Sequence, residues 1–252
     1  DKRNALNDQM VTLLRTAFGR AEAAPGVKVV ILRGNGKAFC AGADLDYLQR
    51  LQKFSFDENL QDSNHLKELF LQIYRFPKIV IAQGEGHAIA GGAGLATVCD
   101  FTFSVPEAKY GYTEVKIGFI PAIVMVFLVR KCGELRAKEL LLSGKIITAE
   151  AAVRYNKINE VVAADQIKDH VRGFAESLCT GNSEQSMAMT KRMLGDIWHF
   201  PIVDGLNFAA KMNAHTRGTE DCKKGISAFL NKEALEWYSG PDPCSASPTP
   251  KH

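Results

Sequence analysis

Twice in this chain, a short apolar run rich in β-branched residues leads directly into a loop of small residues. KVVILRG (28–34) precedes the first such loop, at 34–44, and KIVIAQ (78–83) precedes the second, at 84–94. Runs of this kind are typical of buried strands. A helical pattern lies between them, and strands that alternate with helices indicate an α/β fold with parallel strands. In such folds, sites form at the carboxyl ends of the strands.

Helical spacing accounts for much of the remaining chain. Apolar residues at helical intervals predict helices over 5–18 and 58–74. Beyond Glu134 the pattern is nearly all helical. Later helices are predicted at 165–180, 183–195, 203–217 and 219–231. We therefore predict an α/β core over 1–180 and a helical C-terminal region over 181–238. The Ser- and Pro-rich segment 239–252 is predicted to be a disordered tail.

Composition and charge exclude several other classes of protein. The net charge of +3 is spread along the chain, which gives no support for nucleic-acid binding. The six cysteines are scattered singly, so we expect free thiols and no metal site. No apolar run reaches the roughly 18 residues that a membrane helix needs. We expect a cytoplasmic protein, although the abrupt start at Asp1 leaves an organellar leader open.

The two small-residue loops, AFCAGADL (38–45) and HAIAGGAGLA (87–96), carry most of the chemical information. Glycine lets the backbone approach a ligand closely, and a helix that starts near Gly92 would aim free N–H groups at that ligand. Two such loops side by side could form an oxyanion hole. From composition alone, tight turns that let helices pack against strands remain the alternative. Neither loop has the spacing of a dinucleotide-binding or P-loop motif.

An ordered set of motifs resembles the crotonase (enoyl-CoA hydratase/isomerase) family. AFCAGADL is followed about fifty residues later by an A-x-x-GG segment, and then by CDF and KYGYTEVKIGFIP. The resemblance extends from residue 1 to about 162. It implies a spiral of ββα units with a helical C-terminal region that forms trimers or pairs of trimers, and first strands that would precede Asp1. It also implies an acyl-CoA thioester substrate, with no separate cofactor and no metal.

The resemblance also assigns site residues. The oxyanion donors fall on the backbone N–H groups of Ala43 and Gly91, which would hold the thioester oxygen of an enolate. The remaining residues that the resemblance implies for substrate and CoA binding are Lys37, Ala41, Asp44, Leu45 and Gly92.

The resemblance implies a catalytic glutamate at Glu114, while the position of a second family glutamate is Gly94. A solvated loop glutamate is the alternative for Glu114. With a single carboxylate, isomerisation or decarboxylation becomes easier to perform than hydration, which stays open. Ile123, Met125 and Phe127 would shape an acyl pocket or fill the core. A decarboxylase, a β-branching enzyme and a catalytically silent scaffold are the rival functions.

Overall fold

The structure is a computed structural model, and it describes residues 2–238; the predicted tail at 239–252 lies outside the described residues. The strands are β1 Val29–Arg33, β2 Ala38–Cys40, β3 Ile79–Gly84, β4 His87–Ile89, β5 Phe101–Ser104, β6 Lys109–Gly111, β7 Ile146–Thr148 and β8 Glu160–Val161. The helices are α1 Asp8–Ala23, α2 Leu45–Leu51, α3 Phe56–Arg75, α4 Gly91–Val98, α5 Ala122–Ser143, α6 Ala149–Arg154, α7 Ile167–Gly181, α8 Glu184–Asp196, α9 Ile202–Arg217 and α10 Glu220–Asn231. Two 3₁₀ turns occupy Glu114–Ile117 and Ile197–His199.

The strands form two four-stranded sheets, in the orders β1-β3-β5-β8 and β2-β4-β6-β7. In the first three successive pairs of strands, the first strand joins the first sheet and the second strand joins the second sheet. The last pair is reversed, because β7 joins the second sheet and β8 joins the first. In the second sheet β2, β4 and β6 run parallel, whereas β7 is antiparallel to β6. The mixed α/β class predicted from the sequence is therefore confirmed.

The residue pattern alone missed the second strand of each pair. The segments 34–44 and 84–94, read as loops, contain β2 and β4. Each of these strands has only three residues, too few for alternation between apolar and polar positions to be visible. Two more short strands, β7 and β8, interrupt the part beyond Glu134 that was read as nearly all helical. Neither has more than three residues.

Local signals explain where several helices begin and end. The Thr148 hydroxyl accepts a hydrogen bond from the Ala151 N–H at 3.3 Å and so caps α6. Helix α5 ends at Gly144, whose φ of 61° lies in the left-handed region that glycine adopts easily. The four C-terminal helices α7 to α10 match the four segments predicted from helical spacing. In the described part of the chain, no helix combines the length and apolarity needed to cross a membrane.

The described chain divides into two compact units, of which the first holds the two sheets. This unit comprises residues up to 23, then 30–74 and 80–171. Its core contains the fully buried strand β3 and helix α4, which is buried from Gly92 to Val98.

The second unit comprises 24–29, 75–79 and the chain from Arg172 onward. Inside it, the buried ammonium group of Lys28 donates hydrogen bonds to three carbonyls, those of Cys179 at 2.8 Å, Asn182 at 3.3 Å and Trp237 at 2.6 Å. All three ammonium hydrogens are therefore used in hydrogen bonds, and this lysine connects residues 24–29 to the C-terminal part of the unit.

Candidate active site

Three chain segments leave the second sheet at the same edge. Cys40 of β2 pairs with Ala88 of β4, which pairs in turn with Tyr110 of β6. Because these strands are parallel, the residues that follow the row Cys40–Ala88–Tyr110 emerge together. Ala43 and Gly91 each lie three residues beyond their strand's member of this row, and Glu114 lies four beyond. The sheet register thus brings the two predicted oxyanion donors and the predicted acid/base to one edge.

The Ala43 N–H is not used by the bridge that holds this residue. Leu6 forms an isolated parallel bridge with Ala43. In this bridge the Leu6 N–H donates to the Gly42 carbonyl at 2.7 Å, and the Asp44 N–H donates to the Leu6 carbonyl at 2.8 Å. The middle residue of such a bridge points its own N–H away from the partner strand. The Ala43 N–H therefore takes no part in this bridge.

The Gly91 N–H belongs to the first residue of α4 and has no acceptor within the helix. Its direction is set by Ala90, whose φ of 50° and ψ of −124° are unusual for a residue with a side chain. Ala90 is held on both sides, because its N–H donates to the Gly111 carbonyl at 2.7 Å and its carbonyl accepts from Gly94 at 3.0 Å. Strain of this kind persists only where the surroundings fix it.

Two glycines allow the loops after β2 and β4 to touch. A Cβ atom at Gly42, which has a φ of 92°, would lie 3.0 Å from the Ala90 Cβ. A Cβ atom at Gly92 would lie 2.2 Å from the Cys40 carbonyl oxygen, closer than any real contact. Gly92 is buried, so its position is explained by the close approach of α4 to β2. Its role in ligand binding stays a prediction.

Glu114 is buried, with 9% of its surface exposed, at the start of the 3₁₀ turn. Its Oε2 atom is enclosed and has no hydrogen-bond partner among the described residues. Burial raises the pKa of the Glu114 carboxyl, because the charged form loses its hydration. The alternative of a solvated loop glutamate is wrong, since water does not reach this oxygen in the described structure. A buried carboxyl with a raised pKa and one oxygen without a partner is a candidate acid/base.

Position 94 has no room for a side chain. A Cβ atom there would lie 2.1 Å from Cγ1 of Val124 and 3.0 Å from Cε1 of Phe70. Both neighbours are core side chains, so a second carboxylate cannot be added here without moving α5.

The residues that the resemblance assigns to CoA binding are placed less uniformly. Ala41, Asp44 and Leu45 follow β2 at the site edge, and Leu45 is 75% exposed. The Asp44 carboxylate is already engaged, because it caps α2 and accepts from the Lys2 ammonium at 2.9 Å. Lys37 precedes β2, so it lies at the opposite end of this strand, with an exposed side chain. The structure does not bring Lys37 together with the other site residues.

The apolar residues that follow Pro121 are divided between surface and interior. Phe127 packs against the rings of Phe70 and Tyr74, at centroid distances of 6.0 and 5.3 Å, so it contributes to the core. Met125, in contrast, is exposed. Sequence reasoning missed the hydroxyl of Tyr112, which lies 2.6 Å from Thr97 Oγ1, and the buried ammonium of Lys157. No pattern in the sequence separates that lysine from a surface one.

Comparison with known proteins agrees with this architecture. The model of the family described as enoyl-CoA hydratase/isomerase matches residues 1–240. A Thermus thermophilus protein assigned as an enoyl-CoA hydratase is 41% identical over 232 residues, which cover 92% of this chain and 91% of that protein. The mitochondrial enoyl-CoA hydratase of Pongo abelii is 31% identical, covering 91% of this chain and 77% of that protein.

Solved structures give the same result. An enoyl-CoA hydratase from Shewanella pealeana superposes with a TM-score of 0.89 at 28% identity, covering 94% of this chain and 89% of that one. A crotonase assigned as an enoyl-CoA hydratase/isomerase from Legionella pneumophila superposes with a TM-score of 0.83 at 34% identity, covering 92% and 90%. The expected crotonase-like fold with its helical C-terminal region is thereby confirmed.

Proposed function

The chain is an enzyme of the enoyl-CoA hydratase/isomerase family, and from that premise we propose that it moves a proton within an acyl-CoA thioester, with Glu114 as its single acid/base. The N–H groups of Ala43 and Gly91 bind the thioester carbonyl oxygen. Two such donors stabilise the negative charge that develops on that oxygen, and each contributes roughly 3–4 kcal/mol in sites of this type.

The proposed reaction needs one carboxylate. Glu114 removes a proton from the acyl chain, and the electron pair of the broken C–H bond moves towards the thioester to give an enolate. Glu114 then returns the same proton two carbons away, so that the double bond shifts and no co-reactant is consumed. The raised pKa of Glu114 supports this cycle, because proton exchange is most efficient when the pKa of the group lies near the working pH.

Isomerisation is favoured over hydration by the packing at Gly94. Hydration requires a water molecule to be oriented as a nucleophile while a proton is delivered to the neighbouring carbon, a task that suits two carboxylates. With Val124 and Phe70 packed against Gly94, the second carboxylate has no place. Decarboxylation, which needs the oxyanion hole and a proton donor, is the second candidate, and the same packing at Gly94 supports it.

The observation that carries the proposal is the convergence of Ala43, Gly91 and Glu114 at one sheet edge, together with the Glu114 Oε2 atom that has no partner among the described residues. The test has two arms. Calorimetric titration with a saturated acyl-CoA should show binding. A panel of Δ2- and Δ3-enoyl-CoA isomers and carboxylated acyl-CoAs, with products resolved by mass and retention time, should show a double-bond shift without a gain of water. Absence of both binding and turnover would overturn the proposal.

We also propose that the second unit mediates self-association into trimers or hexamers. Large apolar side chains are exposed on its helices, including Ile202 at 81% and Phe229 at 83%. Exposed apolar surface of this extent is typical of an interface, and a second copy of the chain is the proposed occupant. Light scattering should report a trimer or hexamer at micromolar concentration. A monomer would contradict this part of the proposal.

A further inference from the structure

Lys157 is one of the most deeply buried polar side chains in the described structure, with 1% of its surface exposed. Its ammonium group donates one hydrogen bond, to the Ala93 carbonyl at 3.3 Å. It also lies over two aromatic rings, 4.5 Å from the centroid of Tyr110 and 5.7 Å from that of Tyr112. Burying an ammonium group is strongly unfavourable unless it is paired. Its location between these groups therefore calls for a reason beyond packing.

The partners of Lys157 belong to both halves of the candidate active site. Ala93 lies in α4, two residues after the oxyanion donor Gly91, and Tyr112 lies two residues before Glu114. The same Ala93 carbonyl also accepts from the hydroxyls of Thr97, at 2.7 Å, and Tyr112, at 3.4 Å. We call Lys157, Tyr112, Thr97 and the Ala93 carbonyl the Ala93 cluster. This cluster connects helix α4, which begins at Gly91, to the segment that carries Glu114.

The charge of Lys157 is sensitive to its surroundings. Burial, together with the nearby charge of Lys131 on α5, lowers the pKa of Lys157 to about 7. The other titratable groups that face it are Cys132 on α5, Cys99 at the end of α4, and Tyr110 and Tyr112. A protonated ammonium attracts both the carbonyl oxygen and the ring faces. The neutral amine loses the attraction to the rings, so the contacts weaken on deprotonation.

We propose that Lys157 is a positioning residue: its ammonium group holds the Tyr112–Glu114 segment against α4 and so fixes Glu114 relative to the oxyanion donors. This role rests on the proposed acyl-CoA chemistry for its effect on turnover. The competing explanation is that Lys157 only fills space in the core. In that case an apolar side chain of similar length would serve equally well and would change neither turnover nor the environment of Glu114.

The test compares Lys157→Met with the control variant Lys131→Met. Lys131 also donates to carbonyls of this region, those of Thr97 at 3.0 Å and Cys99 at 2.7 Å, but it is not part of the Ala93 cluster. We expect Lys157→Met to lower kcat by about tenfold to a hundredfold, the effect of a small misplacement of a catalytic group. KM should stay within a few-fold of wild type. In wild type, kcat/KM should fall as pH rises through the pKa of Lys157, about 7, and this alkaline limb should be absent from Lys157→Met. Lys131→Met should retain wild-type kcat and should keep the alkaline limb, shifted to higher pH because the charge of Lys131 helps to lower the pKa of Lys157.

A second readout does not depend on turnover. Titration of the Glu114 carboxyl, followed by ¹³C NMR, should differ between Lys157→Met and wild type and be unchanged in Lys131→Met. If wild type neither binds nor turns over the acyl-CoAs of the panel, the acyl-CoA proposal fails, while this titration still decides the positioning role. If Lys157→Met does not fold, Lys157→Gln replaces it, because it removes the charge that attracts the rings and keeps a side-chain N–H near the Ala93 carbonyl. Unchanged kcat and an unchanged Glu114 titration in whichever of the two variants folds would overturn the inference.

Discussion

Glu85 and Glu114 both follow a buried strand, yet their carboxylates have opposite surroundings. Glu85, after β3, is half-buried and accepts from Gln83 Nε2 at 2.7 Å, with Arg33 and Lys168 at 3.9 and 3.8 Å. Glu114, after β6, has an enclosed oxygen without a partner and a pKa raised by burial. The difference teaches that partners, rather than position after a strand, separate a structural carboxylate from a reactive one.

Replacing each glutamate by glutamine gives the largest expected contrast. Glu114→Gln should lower turnover by about two or more orders of magnitude, the usual contribution of a general acid/base, because the amide cannot take up a proton. Affinity for a saturated acyl-CoA should persist, since the shape is nearly the same. Steady-state kinetics and calorimetry measure the two effects.

Glu85→Gln is the matched control for this experiment, and its turnover should stay close to that of wild type. Equal losses in the two variants would remove the distinction between the two carboxylates. Turnover by Glu114→Gln within a few-fold of wild type would assign the chemistry to another group, with Glu85 or His87 to be reconsidered. His87 is a weak candidate, because its Nδ1 accepts from the Lys109 N–H at 3.1 Å at the start of β4, away from Gly91.

A second carboxylate beside Glu114 would give the site the two acid/base groups that suit hydration, but the packing around Gly94 leaves no space for it. Gly94→Glu should fail to fold or fail to bind acyl-CoA, rather than gain hydration. Even Gly94→Ala should destabilise the protein by about 1–3 kcal/mol, because its methyl group would overlap Val124. Denaturant unfolding measures this cost.

Gly19, in the interior of α1, is the matched control glycine. A Cβ atom there meets nothing within 4 Å. Gly19→Ala should therefore stabilise the protein by about 0.5–1 kcal/mol, the usual helix preference of alanine over glycine. If Gly94→Ala instead left the protein as stable as wild type, or stabilised it as Gly19→Ala should, then α5 would be able to move aside at little cost in free energy.

The pH dependence of activity should also distinguish Glu114 from Glu85. Glu114 must be deprotonated to act as a base, so kcat/KM should rise with pH through the raised pKa of Glu114. This acid limb should lie at a higher pH than that of an ordinary glutamate, and Glu85→Gln should leave it in place. The acid limb is measured by pH–rate profiles of wild type and Glu85→Gln. An acid limb at the ordinary glutamate pKa would contradict burial as its cause.

The smallest expected effect is on stability. Because the folded-state pKa of Glu114 is raised, its contribution to stability is fully present below the unfolded pKa and is lost as pH rises through the folded pKa. Glu114→Gln should therefore gain in unfolding free energy relative to wild type as pH rises through that range. Glu85→Gln should stay within about 0.5 kcal/mol at neutral pH, as is usual away from the core. Denaturant titrations at several pH values test both.

The sequence predicted the α/β class, the C-terminal helices and the strands 28–34 and 78–83. It could not reveal β2 and β4, since three residues carry no period. The motif resemblance named Ala43, Gly91 and Glu114, and the sheet register puts them at one edge. Contacts between distant segments could not be predicted from the sequence. The ion pair of Asp44 with Lys2, the packing against Gly94 and the burial of Lys157 all depend on tertiary structure.

The alternation of strands between two sheets also determines how this chain can fold. Most strands next to each other in sequence, such as β3 and β4, belong to different sheets. β6 and β7 share a sheet, but the long helix α5 lies between them in the chain, and β2, β4 and β6 likewise become neighbours only across long intervening segments. Local hairpins therefore cannot nucleate either sheet. Each strand pairing closes a long loop, which costs conformational entropy before the new contacts can stabilise it. Folding of such a topology is slow, and its rate is set by long-range contacts. The edge that holds Ala43, Gly91 and Glu114 is built from these long-range pairings, so it cannot form before they do.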